Sequence, residues 1–223
     1  MSMNDTNIGL LSPEIKIETG KIALDGYLTV PRNARGIVLF AHGSGSSRKS
    51  PRNQYTAREL NNAGLATLLF DLLSSHEDLE DRITGEYRFN VTLLAHRLIG
   101  VTDWIKQRPN TRNLAVGYFG ASTGSAVALI AAAVKPQVVK AVVSRGGRPD
   151  LAMKALPDVK APTLFIIGGS DTAVIDLNKK AYDALTVKKD IVVIAGATHL
   201  FEEPGALQKV SQLAADWFKK YLA

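Results

Sequence analysis

Short apolar runs alternate with amphipathic segments along most of the chain. Residues 36–41 (GIVLFA) form a continuous apolar run with β-branched side chains, which is typical of a strand covered on both faces. Similar runs predict further strands at 65–71, 114–119, 138–143, 163–167 and 191–195. Upstream, 15–18 and 21–30 predict an antiparallel hairpin at the edge of the sheet. The pattern therefore predicts about eight strands.

The segments between these strands predict helices. Ser50-Pro51 supplies an N-cap and a first-turn proline for a helix that ends near residue 63. Apolar positions repeat at three and four residues over 90–107 and 205–221, and 125–134 is apolar all round, as in a buried helix. Another helix is predicted at 176–185, with Asp176 as its N-cap. The polar stretch 72–88 is predicted to be an irregular loop and is the remaining place for a lid.

Strands that alternate with helices indicate an α/β fold with a mostly parallel sheet flanked by helices. A (β/α)8 barrel is the competing architecture, but it needs about 250 residues and eight regular units. The segment between residues 143 and 163 is short, which leaves a minimal cap domain or none. We expect one domain over residues 1–223, with about the first 12 residues disordered.

Composition narrows the possible functions. The 223 residues include no cysteine, which excludes a thiol nucleophile, cysteine-ligated zinc and iron–sulfur clusters. The net charge of +6 is spread along the chain without a basic and aromatic cluster, so we expect no nucleic-acid partner. No apolar run approaches the roughly 18 residues of a membrane span, and the N-terminus lacks the pattern of a signal peptide. We therefore expect a cytoplasmic protein without membrane contact.

The motif Gly120-x-Ser122-x-Gly124 lies between a predicted buried strand and a predicted buried helix. This context is typical of a nucleophile elbow, in which a sharp turn projects the serine hydroxyl and glycines avoid a clash. The helix that follows directs its positive end toward the serine, which favours developing negative charge. Ser122 is therefore the candidate nucleophile.

A serine hydroxyl needs a base within reach, and the base needs an acid that fixes its tautomer. His199 follows the last predicted strand and Asp171 the one before it. Because the carboxyl ends of parallel strands share one edge of the sheet, both side chains are expected beside Ser122. The order Ser-Asp-His is that of the α/β-hydrolase template. Asp176 and Asp71 remain alternative acids.

Acyl transfer also needs donors for the developing oxyanion. The backbone N–H of Thr123, directly after the nucleophile, is one candidate. The turn after the first buried strand supplies the other, with Ser44 the first choice and Gly45 the second. In this interpretation His42 shapes the turn and is not a base.

The segments HGSGSS, GASTG, GGSD and GATHLF, each at a strand end, resemble the α/β-hydrolase superfamily and more narrowly its dienelactone hydrolase-like branch. The resemblance covers the chain from about residue 15 to its end. Further segments, such as VSRGGRPDLA, are similar to a bacterial subgroup that also occurs fused to phosphoribosyltransferase domains. Dienelactone hydrolases use a cysteine nucleophile, whereas this chain has Ser122. This departure from the family favours an ordinary serine esterase over a hydrolase of dienelactones.

These observations predict a hydrolase that cleaves small carboxylic esters through an acyl-enzyme, with no cofactor and no metal. We expect a small ester as its partner and a monomeric or homodimeric chain. A thioesterase or small peptidase on the same triad, and a non-catalytic ligand-binding module, remain alternatives. Arg145 and Arg148 follow a predicted strand; they could bind a substrate carboxylate or phosphate, or pair with Asp150 or the acidic 77–81 stretch. Arg145 is the stronger candidate ligand.

Overall fold

An open sheet of eight strands runs through residues 13–222, the part of the chain that the computed structural model describes. Its strands are β1 (Glu14–Thr19), β2 (Ile22–Thr29), β3 (Gly36–Ala41), β4 (Ala66–Phe70), β5 (Ala115–Ala121), β6 (Val139–Arg145), β7 (Thr163–Gly168) and β8 (Lys189–Ile194). The spatial order is β1-β2-β4-β3-β5-β6-β7-β8, and only the β1–β2 and β2–β4 pairs are antiparallel. This open arrangement confirms the predicted α/β-hydrolase fold and excludes the barrel. The expected disorder of the first 12 residues lies outside the described residues.

Six α-helices in this part of the chain cover the sheet or extend from its edge. They are α1 (Pro51–Asn62), α2 (Ser75–Thr84), α3 (Val91–Gln107), α4 (Gly124–Val134), α5 (Thr172–Ala184) and α6 (Ala206–Leu222). Helices α1 and α6 bury their apolar sides on one face of the sheet, and α3, α4 and α5 bury theirs on the other. Strands β3, β4 and β7 are buried at every position, as the continuous apolar runs predict.

Helix α6 lies unusually close to the centre of the sheet. A side chain at Gly36 of β3 would collide with Leu222, and one at Gly117 of β5 would collide with Phe218 and Leu222. Glycine at these two positions allows the helix to approach the strand backbone directly. The closing helix therefore completes the face of the two strands that lead to the candidate site.

Residues 72–88 contain the helix α2, so the prediction of an irregular loop there was wrong. Ser74 and Glu77 form a capping box: the Glu77 N–H donates to the Ser74 hydroxyl at 3.3 Å, and the Ser74 N–H donates to the Glu77 carboxylate at 2.8 Å. Gly85 ends the helix in a left-handed conformation with φ of 70°. The spacing Ser-x-x-Glu was the available signal. Hydrophobic periodicity does not indicate this helix, because its large apolar side chains, Leu79 and Ile83, are exposed and form no buried stripe.

Helix α5 begins at Thr172, four residues before the predicted start. Asp176 lies inside this helix with a side chain that is 83% exposed, and its ion-pair partner is Lys179 at 3.8 Å. Asp176 is therefore not an N-cap, and the proposal of Asp176 as an alternative catalytic acid was wrong.

The connection from β6 to β7 holds two short 3-10 helices, Pro149–Ala152 and Leu156–Asp158. Both pack against α4 and α5, so the connection forms part of the main layer and no separate cap is inserted there. Within residues 13–222, none of the helices combines the length and apolarity that crossing a lipid bilayer requires.

Candidate active site

Ser122 lies in the turn between β5 and α4 and has a positive φ of 52°. Such a backbone conformation is strained for a residue with a side chain. A side chain at Gly120 would lie 2.6 Å from the carbonyl oxygen of Gly124, and one at Gly124 would collide with the carbonyl oxygen of Ala41. The two glycines of the motif are therefore required for the turn that projects the Ser122 hydroxyl.

His199 lies between Ser122 and Asp171. Its Nε2 is 3.2 Å from the Ser122 Oγ, and its Nδ1 is 2.6 Å from an Asp171 carboxylate oxygen. The carboxylate accepts a hydrogen bond from the Nδ1–H group, which leaves the Nε2 lone pair for the serine hydroxyl. The Asp171 side chain is 11% exposed and that of His199 38%. The structure thus brings the three residues predicted from separate strand ends into one hydrogen-bonded chain.

The loop that carries His199 is held from both sides. The Thr198 N–H donates to the Glu203 carboxylate at 3.0 Å, and this hydrogen bond lowers the pKa of Glu203. Phe201 is buried with a positive φ of 57°. A Cβ on Gly146 would lie 3.2 Å from the His199 carbonyl oxygen, so the β6 end packs directly against this loop. These contacts fix the position of the imidazole.

The turn after β3 packs against the nucleophile. A Cβ on Gly43 would lie 3.1 Å from the Ser122 Cβ. The Ser44 N–H, predicted as an oxyanion donor, donates at 2.8 Å to the hydroxyl oxygen of Thr123. Within residues 13–222, the N–H groups of Thr123 and Gly45 have no hydrogen-bond acceptor. In this structure the Ser44 amide is thus already engaged, whereas the Thr123 amide and the amide of Gly45, the second choice, are not.

His42 is a structural residue of the same turn. Its Nε2 accepts the Leu72 N–H at 3.1 Å, and its Nδ1 lies 2.9 Å from the Gly43 carbonyl oxygen. A neutral ring protonated on Nδ1 satisfies both contacts. Burial lowers the pKa of His42 and keeps the ring neutral. These bonds occupy both ring nitrogens, in agreement with a role in shaping the turn.

Asp71 also serves the turn after β3. One of its carboxylate oxygens accepts the Arg48 N–H at 2.6 Å, and the other pairs with the Arg48 guanidinium. The same guanidinium binds Glu14 of β1. Asp71 therefore anchors this turn to the sheet, and its proposal as an alternative acid for His199 was wrong.

The two arginines after β6 have different surroundings. Arg148 forms two hydrogen bonds of 2.8 Å with the Asp150 carboxylate. Pairing with Asp150 was one of the two predicted roles of this arginine. Arg145 contacts neither Asp150 nor the 77–81 stretch. Its side chain is buried, 5.6 Å from the centre of the Phe201 ring, and its hydrogen bond is a long one of 3.5 Å to Asn53. Burial, with a smaller effect from Arg52, lowers the pKa of Arg145 to about 10.

A cleft of about 630 Å³ opens beside the turn after β3. One wall is the turn itself, residues 42–49, and the opposite wall is α2. Leu73, Leu79 and Leu94 supply apolar surface, and charged side chains of α2 and the turn surround it. Among residues 13–222 no group of three or more histidine, aspartate or glutamate side chains is arranged to hold a metal ion.

Comparison with known proteins identifies relatives of the whole described fold. A protein of Mycobacterium tuberculosis (strain H37Rv) named "Putative phosphoribosyl transferase Rv0571c" is 53% identical over 213 residues, which are 96% of this chain and 47% of that protein. The chain thus spans about half the length of this curated relative. A dienelactone hydrolase from Anabaena variabilis is 57% identical with a TM-score of 0.93, covering 95% of this chain and 98% of the other. Est1E from Butyrivibrio proteoclasticus shares the fold, with a TM-score of 0.80 at 16% identity over 94% of this chain and 98% of that one.

The family profile agrees with these relatives. The profile described as the Dienelactone hydrolase family matches residues 24–222, which include most of β2, all later strands and all of the candidate site. The chain therefore belongs to the dienelactone hydrolase family and has the α/β-hydrolase fold.

Proposed function

We propose that the protein is a serine esterase that cleaves small carboxylic esters through an acyl-enzyme intermediate. The observation that carries this proposal is the hydrogen-bonded chain from Asp171 through His199 to Ser122. Its distances lie within the reach that proton transfer between a nucleophile and its base requires. The strained elbow at Ser122 and the free Thr123 amide support the same chemistry.

In the acylation step, the Ser122 Oγ attacks the ester carbonyl carbon while its proton passes to His199 Nε2. Asp171 holds the imidazole in the required tautomer and stabilises the imidazolium that forms. The tetrahedral intermediate then collapses and breaks the bond to the alcohol oxygen. His199 returns the proton to this oxygen, and the alcohol leaves.

Deacylation repeats these steps with water as the nucleophile. His199 takes a proton from the water molecule as the water oxygen attacks the acyl carbon. Collapse of the second tetrahedral intermediate returns the proton to Ser122 Oγ and releases the carboxylic acid. The 38% exposure of the His199 side chain supports direct access of water.

The oxyanion is bound in this proposal by two groups of Thr123, its backbone N–H and its hydroxyl. The Thr123 oxygen accepts the Ser44 N–H, so its own proton is directed elsewhere and is available to an oxyanion. The side-chain hydroxyl thereby takes the role that a second amide has in the sequence-based expectation. The N-terminus of α4 adds a favourable electrostatic field.

Thr123→Val should lower kcat by roughly 10²-fold, with little change in KM, because an oxyanion donor acts chiefly on the transition state. Thr123→Ser retains the hydroxyl and should keep most of the activity. Steady-state kinetics on p-nitrophenyl acetate measure both. Full kcat in Thr123→Val would contradict a donor role for the hydroxyl and would favour the Ser44 amide, which that substitution releases.

The class of function is tested by a fluorophosphonate probe followed by a substrate panel. The probe should label the protein at Ser122, located by mass spectrometry of the peptide, and Ser122→Ala should not be labelled. Absence of labelling in the native protein would favour a non-catalytic binding module. Comparison of p-nitrophenyl esters of increasing chain length with a thioester and a peptide anilide then separates an esterase from a thioesterase or a peptidase.

The transferase activity in the name of the Mycobacterium tuberculosis relative is not proposed for this chain. The chain spans 47% of that protein, and residues 24–222 match the hydrolase family. The hydrogen-bonded chain from Asp171 to Ser122 lies within this matched segment, which favours hydrolysis as the activity of the present chain.

A further inference from the structure

Arg145 places a positive charge in the interior, and none of the carboxylates in residues 13–222 forms an ion pair with it. The residue is 5% exposed at the end of β6. Its Nε is buried and has no hydrogen-bond partner within residues 13–222. The one side-chain hydrogen bond of Arg145 there runs from an Nη atom to Asn53, at 3.5 Å. A buried charge is costly unless it is paired. The guanidinium therefore has unused capacity to bind an anion.

The groups around Arg145 increase the positive charge. Arg52, in the first turn of α1, is close enough for its charge to repel that of Arg145. Its guanidinium pairs with Glu202 at 2.8 Å, so this carboxylate is committed to Arg52. The first turn of α1 contains no acidic residue, and a helix N-terminus is itself positive. Phe201 offers its ring face to Arg145 but does not neutralise the charge.

The location of this charge connects it to the candidate active site. The Arg145 carbonyl accepts the Ser122 N–H at 3.1 Å, so the two residues lie side by side on adjacent strand ends. Phe201, against which the guanidinium lies, is two residues after His199. A ligand bound at Arg145 therefore lies next to the loop that supplies the base.

We propose that Arg145 and the N-terminal turn of α1 form a binding site for a small oxyanion, and that this anion is a carboxylate or phosphate group carried by the ester substrate. The planar guanidinium offers parallel N–H donors that match the oxygens of either group. The substrate part of this proposal rests on the proposed esterase function, whereas anion binding itself does not. An anionic ester would be held by its charge at Arg145 while its carbonyl lies at Ser122.

The first test measures thermal unfolding in inorganic phosphate against sodium chloride of equal ionic strength. Phosphate at saturation should raise the Tm of the native protein by roughly 3–5 °C, because the anion binds only the folded state. Arg145→Gln should lose this shift. Arg148→Gln is the matched control: it removes a guanidinium three residues away that is already paired with Asp150, and it should keep the shift. No shift in the native protein, or an equal shift in Arg145→Gln, would overturn the site.

A second variant keeps the test decisive if Arg145→Gln fails to fold. Asn53→Asp places a carboxylate at the position that contacts Arg145, in the first turn of a helix where an acid is favourable. This internal anion should raise the Tm in phosphate-free buffer and abolish the phosphate shift. Asn53→Asp with an undiminished phosphate shift would contradict the site.

The third experiment determines whether the bound anion is part of the ester substrate or a free anion. The ratio of kcat/KM for p-nitrophenyl hemisuccinate to that for p-nitrophenyl acetate should fall roughly 10- to 100-fold in Arg145→Gln, since a charge-assisted contact is lost. An unchanged ratio together with a lost phosphate shift would contradict substrate recognition and assign the site to a free anion. If neither ester is hydrolysed by the native protein, the esterase proposal fails while the Tm measurements still decide whether the anion site exists.

Discussion

Ser122→Ala should lower kcat for p-nitrophenyl acetate by roughly 10⁴- to 10⁶-fold, because the substitution removes the atom that forms the acyl-enzyme. Alanine keeps the Cβ that packs against Gly43, so the turn should fold as before. The residual rate should come only from binding and from the oxyanion donors, which remain. Kinetics with and without hydroxylamine as an acyl acceptor would show whether any acyl-enzyme still forms.

Ser170→Ala is the matched control for this loss. Ser170 is exposed at the same edge of the sheet, next to Asp171, and its hydroxyl lies outside the hydrogen-bonded chain. Its removal should leave kcat within about twofold, as is usual for a surface substitution. Circular dichroism and Tm should be close to the native values in both variants. Turnover of Ser122→Ala near the native level, with the fold intact, would rule out Ser122 as the nucleophile.

Asp171→Asn should lower kcat by roughly 10⁴-fold with a much smaller change in KM. The asparagine amide donates a hydrogen bond to His199 Nδ1 and so favours the tautomer with its proton on Nε2. That nitrogen lies 3.2 Å from the Ser122 Oγ and could then no longer accept its proton. Initial rates over a range of ester concentrations separate the two parameters.

Asp176→Asn is the control for the second substitution, since it removes the same charge from an exposed position on α5. Its kcat should remain near the native value. If Asp171→Asn retained native kcat, the 2.6 Å contact between Asp171 and His199 would have no role in catalysis, and another group would have to orient the base. A loss of activity in Asp176→Asn of equal size would point to a general effect of charge.

The positions of Ser122, Asp171 and His199 could be inferred from sequence because each follows a buried apolar strand. In a parallel sheet such strands end at one edge, so residues far apart in the chain become neighbours. The glycines on both sides of Ser122 added a steric reason for a sharp turn, which the structure confirms in its backbone conformation. These signals depend on local sequence pattern and on the topology of a parallel sheet, and both can be inferred without knowledge of tertiary contacts.

Features that depend on individual side-chain contacts could not be inferred in this way. The commitment of the Ser44 amide to Thr123 joins residues 79 positions apart. The single side-chain hydrogen bond of Arg145 within residues 13–222 joins it to Asn53, 92 positions away. Hydrophobic periodicity did not predict helix α2, because its charged sequence has no buried apolar stripe. Its capping box is nevertheless encoded locally by Ser74 and Glu77. In this polar segment the capping box is the feature of the sequence that indicates a helix.

The close fit of α6 against Gly36 and Gly117 has a consequence for synthesis of the protein on the ribosome. The glycines of β3 and β5 are covered by Phe218 and Leu222 of α6. Because α6 follows every strand in the chain, these two residues are translated after the whole sheet. Until those residues emerge, an apolar strip at the centre of the sheet stays open to water and to other nascent chains. A chain stalled before α6 would thus expose the kind of surface that chaperones bind and that drives aggregation.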